Sequence, residues 1–201
     1  MGRIVVMNHV TLDGVMQGPG RRDEDTRGGF THGGWAQRAT EPGDAAGKAM
    51  GERMQAGGGL AGWLLGRWTY EQVLSHWNRQ PDNPFASALN NTPKYVVSNS
   101  ITEPLPWPNS TLLHGDIAQA VERLRAATQG VLAIMGSGQL IGSLMAADLI
   151  DEYLLTIHPL VLGSGKRLFH DDVDVKLRLA ESYATPTGMI IARYEPSREE
   201  A

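Results

Sequence analysis

The sequence predicts a three-layer α/β domain with a mainly parallel central sheet and antiparallel C-terminal strands. Short apolar runs alternate with helical patterns through the first three quarters of the chain, whereas strand patterns follow one another directly in the last quarter. One continuous apolar run, residues 131–135 (VLAIM), lies between glycines, as expected of a central strand covered on both faces. The 201 residues suffice for one domain spanning 1–201.

Residues 3–7 (RIVVM) are apolar and rich in β-branched side chains, and read as a buried opening strand ended by Asn8 and His9. From Asp13-Gly14 to Gly34 the chain is glycine-rich loop around Asp23, Glu24 and Asp25. Loops this long in a compact domain are functional or disordered. Residues 44–55 read as a weak helix, interrupted by Gly47 and Gly51 and stopped by Gly57-Gly58-Gly59. Trp63-Leu64-Leu65 is a second strand; Gly66 then opens a turn, and Tyr70, Val73, Leu74 and Trp77 mark a helix over 69–77. Tyr95-Val96-Val97 is a third strand, residues 104–108 a proline-rich surface connection, and 111–114 a short edge strand. Asp116 caps a helix with Ile117, Ala120, Val121 and Leu124 on one face, stopped by Gly130. After the central run, Leu140, Ile141, Leu144 and Met145 mark another helix. Residues 153–157 form a strand, turned by Pro159 and Gly163-Ser164-Gly165. Val175, Leu177 and Leu179 alternate with Lys176 and Arg178, and Thr187-Gly188 leads to a last strand at 189–194, giving an antiparallel pair.

Composition narrows the partners. Hydrophobic residues at 41% and charged residues at 20% fit a globular chain rather than a disordered tail. Lys+Arg 18 against Asp+Glu 22 gives a net charge of −4, a field that opposes nucleic acid and anionic membranes, so any anionic ligand must be held locally. The chain has no cysteine, which excludes disulfides, thiol nucleophiles and cysteine zinc sites and leads us to expect a cytoplasmic protein. No apolar run approaches the roughly 18 residues of a membrane span, and no targeting segment is visible. The histidines (His9, His32, His76, His114, His158, His170) lack metal-ligand spacing, so no metal is expected. Asp171, Asp172 and Asp174 lack the glycine and distal Glu of a calcium loop, and Ser164 lies in G-S-G rather than a nucleophile elbow.

Two strand-glycine-helix units carry the chemical signal: Leu65-Gly66-Arg67-Trp68-Thr69 and Met135-Gly136-Ser137-Gly138-Gln139-Leu140. Each aims the free N–H groups of a helix start beyond a strand end, a geometry that binds phosphate. Neither matches G-x-G-x-x-G or the P-loop pattern, and the same glycines also serve tight turns and close helix packing.

Together with Thr11-Leu12-Asp13-Gly14, Thr69-Tyr70-Glu71, Val96-Val97-Ser98, Leu149-Ile150-Asp151-Glu152-Tyr153 and Pro159-Leu160-Val161-Leu162-Gly163-Ser164-Gly165, these units resemble the dihydrofolate reductase superfamily. The likeness is to the reductase domain of the bifunctional riboflavin-biosynthesis deaminase/reductase and its stand-alone bacterial relatives, over nearly the whole chain. It implies a dihydrofolate-reductase-like fold, NADPH as cofactor, and hydride transfer to a C=N or C=O bond of a small pterin- or pyrimidine-like heterocycle. It further implies cofactor contacts at Gly66, Arg67 and Thr69, with Arg67 on the 2′-phosphate and Thr69 on the pyrophosphate. Ser98, Asn99 and Ser100 would complete the 2′-phosphate site, and Gly136, Ser137, Gly138, Gln139 and Leu140 would bring backbone to the pyrophosphate. Asp13 is the expected catalytic residue, orienting a substrate N–H or supplying a proton; its other reading is an Asp-Gly turn. Phe30, His32 and Trp35 form either a substrate lid or a loop anchored by buried aromatics. The resemblance, with apolar side chains at Leu154, Ile157, Leu160 and Leu162, points to a homodimer.

Two departures stand out. Val15 replaces the lysine and Met135 the glutamate that the riboflavin reductase commonly carries, which speaks against the riboflavin intermediate as substrate. The zinc deaminase signature is absent. Asp44 and Glu52 are candidates for a folate-binding acid, or else a solvated face. The rival function is a non-catalytic module that binds NADPH or a pterin-like ligand.

Overall fold

The structure, a computed structural model, describes residues 1–39, 45–169 and 173–197. Asp44, His170, Asp171 and Asp172 lie outside the described residues. The elements are β1 (Arg3–Thr11), α1 (Ala45–Ala56), β2 (Leu60–Gly66), α2 (Arg67–Trp77), α3 (Pro84–Asn91), β3 (Lys94–Val97), β4 (Ser110–Leu113), α4 (Ile117–Ala127), β5 (Val131–Ile134), α5 (Gly138–Ala146), β6 (Glu152–His158), β7 (Leu177–Ala184) and β8 (Ile190–Pro196). Strand order is β4-β3-β2-β5-β1-β6-β8-β7. Two compact units divide the chain: residues 1–4 with 54–149, and residues 5–53 with 150–201.

In the first unit, β4, β3, β2 and β5 are parallel neighbours. All four residues of β5 are fully buried, as its unbroken apolar run requires. The helix expected at Asp116 is α4: the Asp116 Oδ1 accepts the Gln119 N–H at 3.1 Å, and Ala120 and Val121 are buried. Sequence periodicity did not indicate α3. Asn83 Oδ1 accepts the Phe85 N–H at 2.9 Å and Pro84 occupies the first helical position. At its far end Lys94, fully buried in β3, donates its ammonium to the carbonyls of Leu89 (2.8 Å), Asn90 (3.1 Å) and Thr92 (2.8 Å). Burial pushes the Lys94 ammonium down to about 8.

In the second unit, β1 runs parallel to β6, while β8 is antiparallel to both β6 and β7. β1 does not stop at Met7: Asn8 and His9 pair with Leu155 and Thr156 of β6, so ladder bonds override the polar side chains expected to end the strand. α1 is fastened by Arg53, whose guanidinium grips the fully buried Glu152 carboxylate through Nε and, at 2.6 Å, Nη2. The long loop carries two short 3-10 turns, Arg27–Gly29 and Trp35–Ala39. Val15, Phe30, Trp35 and Ala36 form a buried cluster, with Leu160 and Leu162 packed on it. Leu154 is also buried. Those leucines, expected to be surplus surface, therefore pack within their own unit, where the exposed large apolar side chains among the described residues are Leu12, Val161, Val175, Leu179, Tyr183 and Ile190.

Candidate functional site

In the first unit the two strand-glycine-helix turns are locked to each other. The Gly66 N–H, at the junction of β2 and α2, donates to Ser137 Oγ at 3.0 Å, and the Ser137 N–H donates to Thr69 Oγ1 at 3.0 Å. Gly136 and Ser137 both have positive φ, 56° and 51°. A Cβ on Gly136 would come within 3.0 Å of Thr69 Oγ1 and 3.1 Å of its methyl carbon, so glycine is required by both conformation and space. Left-handed Ser137 is the N-cap of α5. The N–H groups of Gly138, Gln139 and Leu140 belong to the first turn of α5 and have no intrahelical acceptor. Leu140 buries its side chain and leaves only its backbone at the helix start.

Arg67 opens α2 and reaches the turn after β3. Its Nη1 donates to Ser100 Oγ at 3.0 Å, while its Nε donates to Glu71 Oε1 at 2.8 Å. The Ser100 N–H donates to Ser98 Oγ at 3.1 Å, and the two hydroxyls are 3.3 Å apart. Asn99 Oδ1 is taken by the Gly115 N–H at 2.7 Å, so this side chain ties the turn to the segment before α4. Ser98 and Asn99 border a cavity of about 410 Å³, together with Thr102, Glu103, Leu112 and His114. The structure brings Arg67, Ser98 and Ser100 together and adds Glu71 as a pairing group and Glu103 and His114 as lining groups, roles not read from the sequence. The i,i+4 spacing of Arg67 and Glu71 was the available signal for the first of these.

In the second unit Asp13 is a hub for its loop. Oδ1 accepts the Thr11 hydroxyl (2.6 Å) and the Leu162 N–H (3.2 Å), and Oδ2 accepts the Gly163 N–H (2.8 Å). Burial pushes its carboxyl up, but the bonds from Thr11, Gly163 and Leu162 together outweigh this and hold it below the usual carboxylate range. This group is built to stay ionised. Trp35 is fully buried, with its indole N–H donated to the Gln17 carbonyl at 2.7 Å, and Phe30 is buried beside it. Both aromatics are buried and anchor the loop, as the second of their two readings has it; His32 is half-buried, its ring edge against Phe30. Asp25, expected as loop polarity, clips the loop through Arg27 and, at 3.4 Å, Lys166. Burial raises its carboxyl, yet the Arg27 hydrogen bonds and charge bring it to about 2.

Sequence reading missed a histidine pair. His9 Nδ1 and His158 Nε2 are 2.9 Å apart, His158 is buried with Trp35 edge-on at 5.2 Å, and His158 Nδ1 has no hydrogen-bond partner. Burial, reinforced by His9, pushes His158 down to about 4. Glu52, a candidate folate-binding acid, is exposed on α1 and sits 3.8 Å from Lys48.

The RibD C-terminal domain profile matches residues 3–191. The Bacillus subtilis (strain 168) proteins YwjB and YyaP are 41% identical over 117 residues and 36% identical over 87 residues. The matched segments span 58% and 43% of this chain, and 63% and 43% of those relatives. A Shewanella sp. PV-4 protein provisionally assigned to riboflavin biosynthesis superposes with TM-score 0.72 at 25% identity, over 98% of this chain and all of that one. A pyrimidine reductase-like protein from Corynebacterium diphtheriae (TM-score 0.62, 11% identity, 98% and 93% covered) shares the fold. So does the dihydrofolate reductase of Enterococcus faecalis, solved with NADP(H) (TM-score 0.56, 15% identity, 98% of each chain). By the match across nearly its full length, and with the dihydrofolate-reductase-like fold it shares with these structures, the chain belongs to the RibD C-terminal domain family.

Proposed function

We propose that this chain is an NADPH-dependent reductase that delivers a hydride to a C=N or C=O bond of a small pterin- or pyrimidine-like heterocycle. The observation that carries this reading is the Arg67 guanidinium held on the Ser98-Ser100 turn, a cation and two hydroxyls assembled beside a cavity. Such a set suits a phosphate monoester, the group that distinguishes NADPH from NADH. The interlocked turns at Gly66 and Gly136 offer backbone N–H groups of the kind a pyrophosphate takes. NADPH, when bound, would supply the hydride; the residues named here bind and orient it. Asp13, held ionised, suits orienting a substrate N–H better than giving up a proton, which we assign to water.

Titrating NADPH and NADH against tryptophan fluorescence tests the cofactor assignment. A charge-assisted contact is worth about 1.5 to 3 kcal/mol, so NADPH should bind roughly 10- to 150-fold more tightly, and Arg67→Ala should erase the difference. Equal dissociation constants in the unaltered chain would reject it. Turnover is then sought by NADPH absorbance across pterins and pyrimidines. The second reading, a binding module without turnover, gains from the Asp13 carboxylate being already engaged by three donors. Asp13→Asn that keeps cofactor affinity but lowers turnover by about 100-fold would favour the reductase; tight binding of pterins with no NADPH oxidation would favour the module. We also propose a homodimer, supported by the exposed Leu179 and Ile190 on one face of β7 and β8.

A further inference from the structure

Arg67 and Glu71 sit one helical turn apart at the start of α2, and their pairing leaves a specific part of the guanidinium for a ligand. A guanidinium has five N–H donors in a planar fork. The Nε–H goes to Glu71 Oε1 at 2.8 Å, and one Nη1–H goes to Ser100 Oγ at 3.0 Å. Nη1 also faces the Ser100 carbonyl at 3.5 Å, so the two Nη2 donors form the outer edge of the fork. Both partners are reached by water, the side chains being 47% and 34% exposed. Glu71 is therefore not a buried structural counter-ion like Glu152.

We infer that Glu71 sets how strongly this site prefers a phosphate monoester to a hydroxyl, by orienting the Arg67 fork while cancelling part of its charge. This rests on the cofactor reading above. A phosphate monoester carries about −1.5 to −2 charges at neutral pH. On the outer edge of Arg67 it shares one guanidinium with the Glu71 carboxylate, so two anions compete for one cation. Glu71 fixes the plane of the fork through Nε, which favours binding, and opposes the phosphate electrostatically, which disfavours it. Because the acceptor oxygen and the charge are chemically separable, the two effects are too. Glutamine keeps an oxygen that can accept the Nε–H and has no charge. Alanine has neither.

The test uses the full chain, with adenosine 2′-monophosphate and adenosine as probes in calorimetric titrations at about 20 mM and 0.5 M salt. The unaltered chain is expected to bind the nucleotide more tightly than the nucleoside. Glu71→Gln should widen that gap by roughly 2- to 5-fold at low salt, the range expected of an exposed ion pair, and the extra widening should vanish at 0.5 M salt. Adenosine affinity should not move, which separates a charge effect from general damage to the site. Glu71→Ala should gain less than Glu71→Gln, because the fork is then unheld. If Glu71→Gln leaves the gap unchanged or narrows it, the role of Glu71 is overturned while the cofactor reading stands. If the unaltered chain does not distinguish the two probes, the cofactor reading falls and this inference with it.

Discussion

His158 illustrates how a single side chain couples the fold to pH. It is 1% exposed, its Nδ1 has no partner, and its Nε2 faces the His9 ring, so a proton arriving there enters a buried site beside another imidazole. The folded chain resists that proton down to about pH 4, whereas the unfolded chain accepts it near the ordinary value of about 6.5. Between these values the unfolded state binds more protons, so stability is full above about pH 6.5 and declines as pH falls toward 4. The loss should approach ~3 kcal/mol at most, and His158→Phe should flatten it. Urea midpoints at pH 7.5 and 5 check both statements, and an unchanged slope in the variant would assign the acid sensitivity elsewhere. Nothing in the sequence exposes this pair, since 149 residues separate the partners and only the β1-β6 pairing brings them together. The Arg67-Glu71 pair, by contrast, has an i,i+4 spacing as its signal, but the helix pattern read from the sequence begins at Thr69 and leaves Arg67 in the turn before it, whereas α2 begins at Arg67.

Among the elements, the sequence made strands and amphipathic helices visible and left short, capped or buried features obscure. α4 and β5 follow directly from an N-cap aspartate and an unbroken apolar run. α3 does not, because eight residues are barely two turns, too short a run to mark a helix, and it is held by Asn83 at one end and Lys94 at the other. Lys94→Met should therefore cost about 1 to 3 kcal/mol, since three carbonyls lose their shared donor. Chemical denaturation measures this; a neutral result would mean the relief of a buried charge balances the lost bonds. The interlocked turns give a second prediction. Gly136→Ala should destabilise by about 1 to 3 kcal/mol from left-handed strain and the approach to Thr69. Adding Thr69→Ser, which removes the methyl and keeps the hydroxyl, should restore only the methyl share of the contact, since the approach to Oγ1 stays. A double-mutant cycle with no coupling would show that the methyl contributes nothing and that backbone strain and the approach to Oγ1 account for the loss.

For the whole molecule, the sequence indicated the succession of parallel units followed by an antiparallel pair, but not which strands become neighbours. That order depends on long-range pairings for which local patterns carry no information: β2 sits between β3 and β5, and β8 between β6 and β7. The same limit explains why Leu154, Leu160 and Leu162 read as spare apolar surface when their own unit absorbs them. What stays outside is the β7-β8 pair, where Leu179 and Ile190 are 50% and 39% exposed. Their strand registers place them on the same face of the sheet as Ile157. We expect sedimentation at micromolar concentration to give twice the 21.8 kDa chain mass, and Leu179→Lys to return the single-chain value. A single-chain species before any substitution would mean that these side chains tolerate water.

The four lysines divide unevenly, with Lys48, Lys166 and Lys176 exposed and Lys94 wholly enclosed. An amine-reactive reagent will therefore modify three of them at once and the fourth only when the end of α3 lifts from β3. Its labelling rate becomes a clock for that local opening. The reaction is also a trap: an acylated Lys94 has lost the ammonium that held three carbonyls, so each modified molecule is biased against closing again.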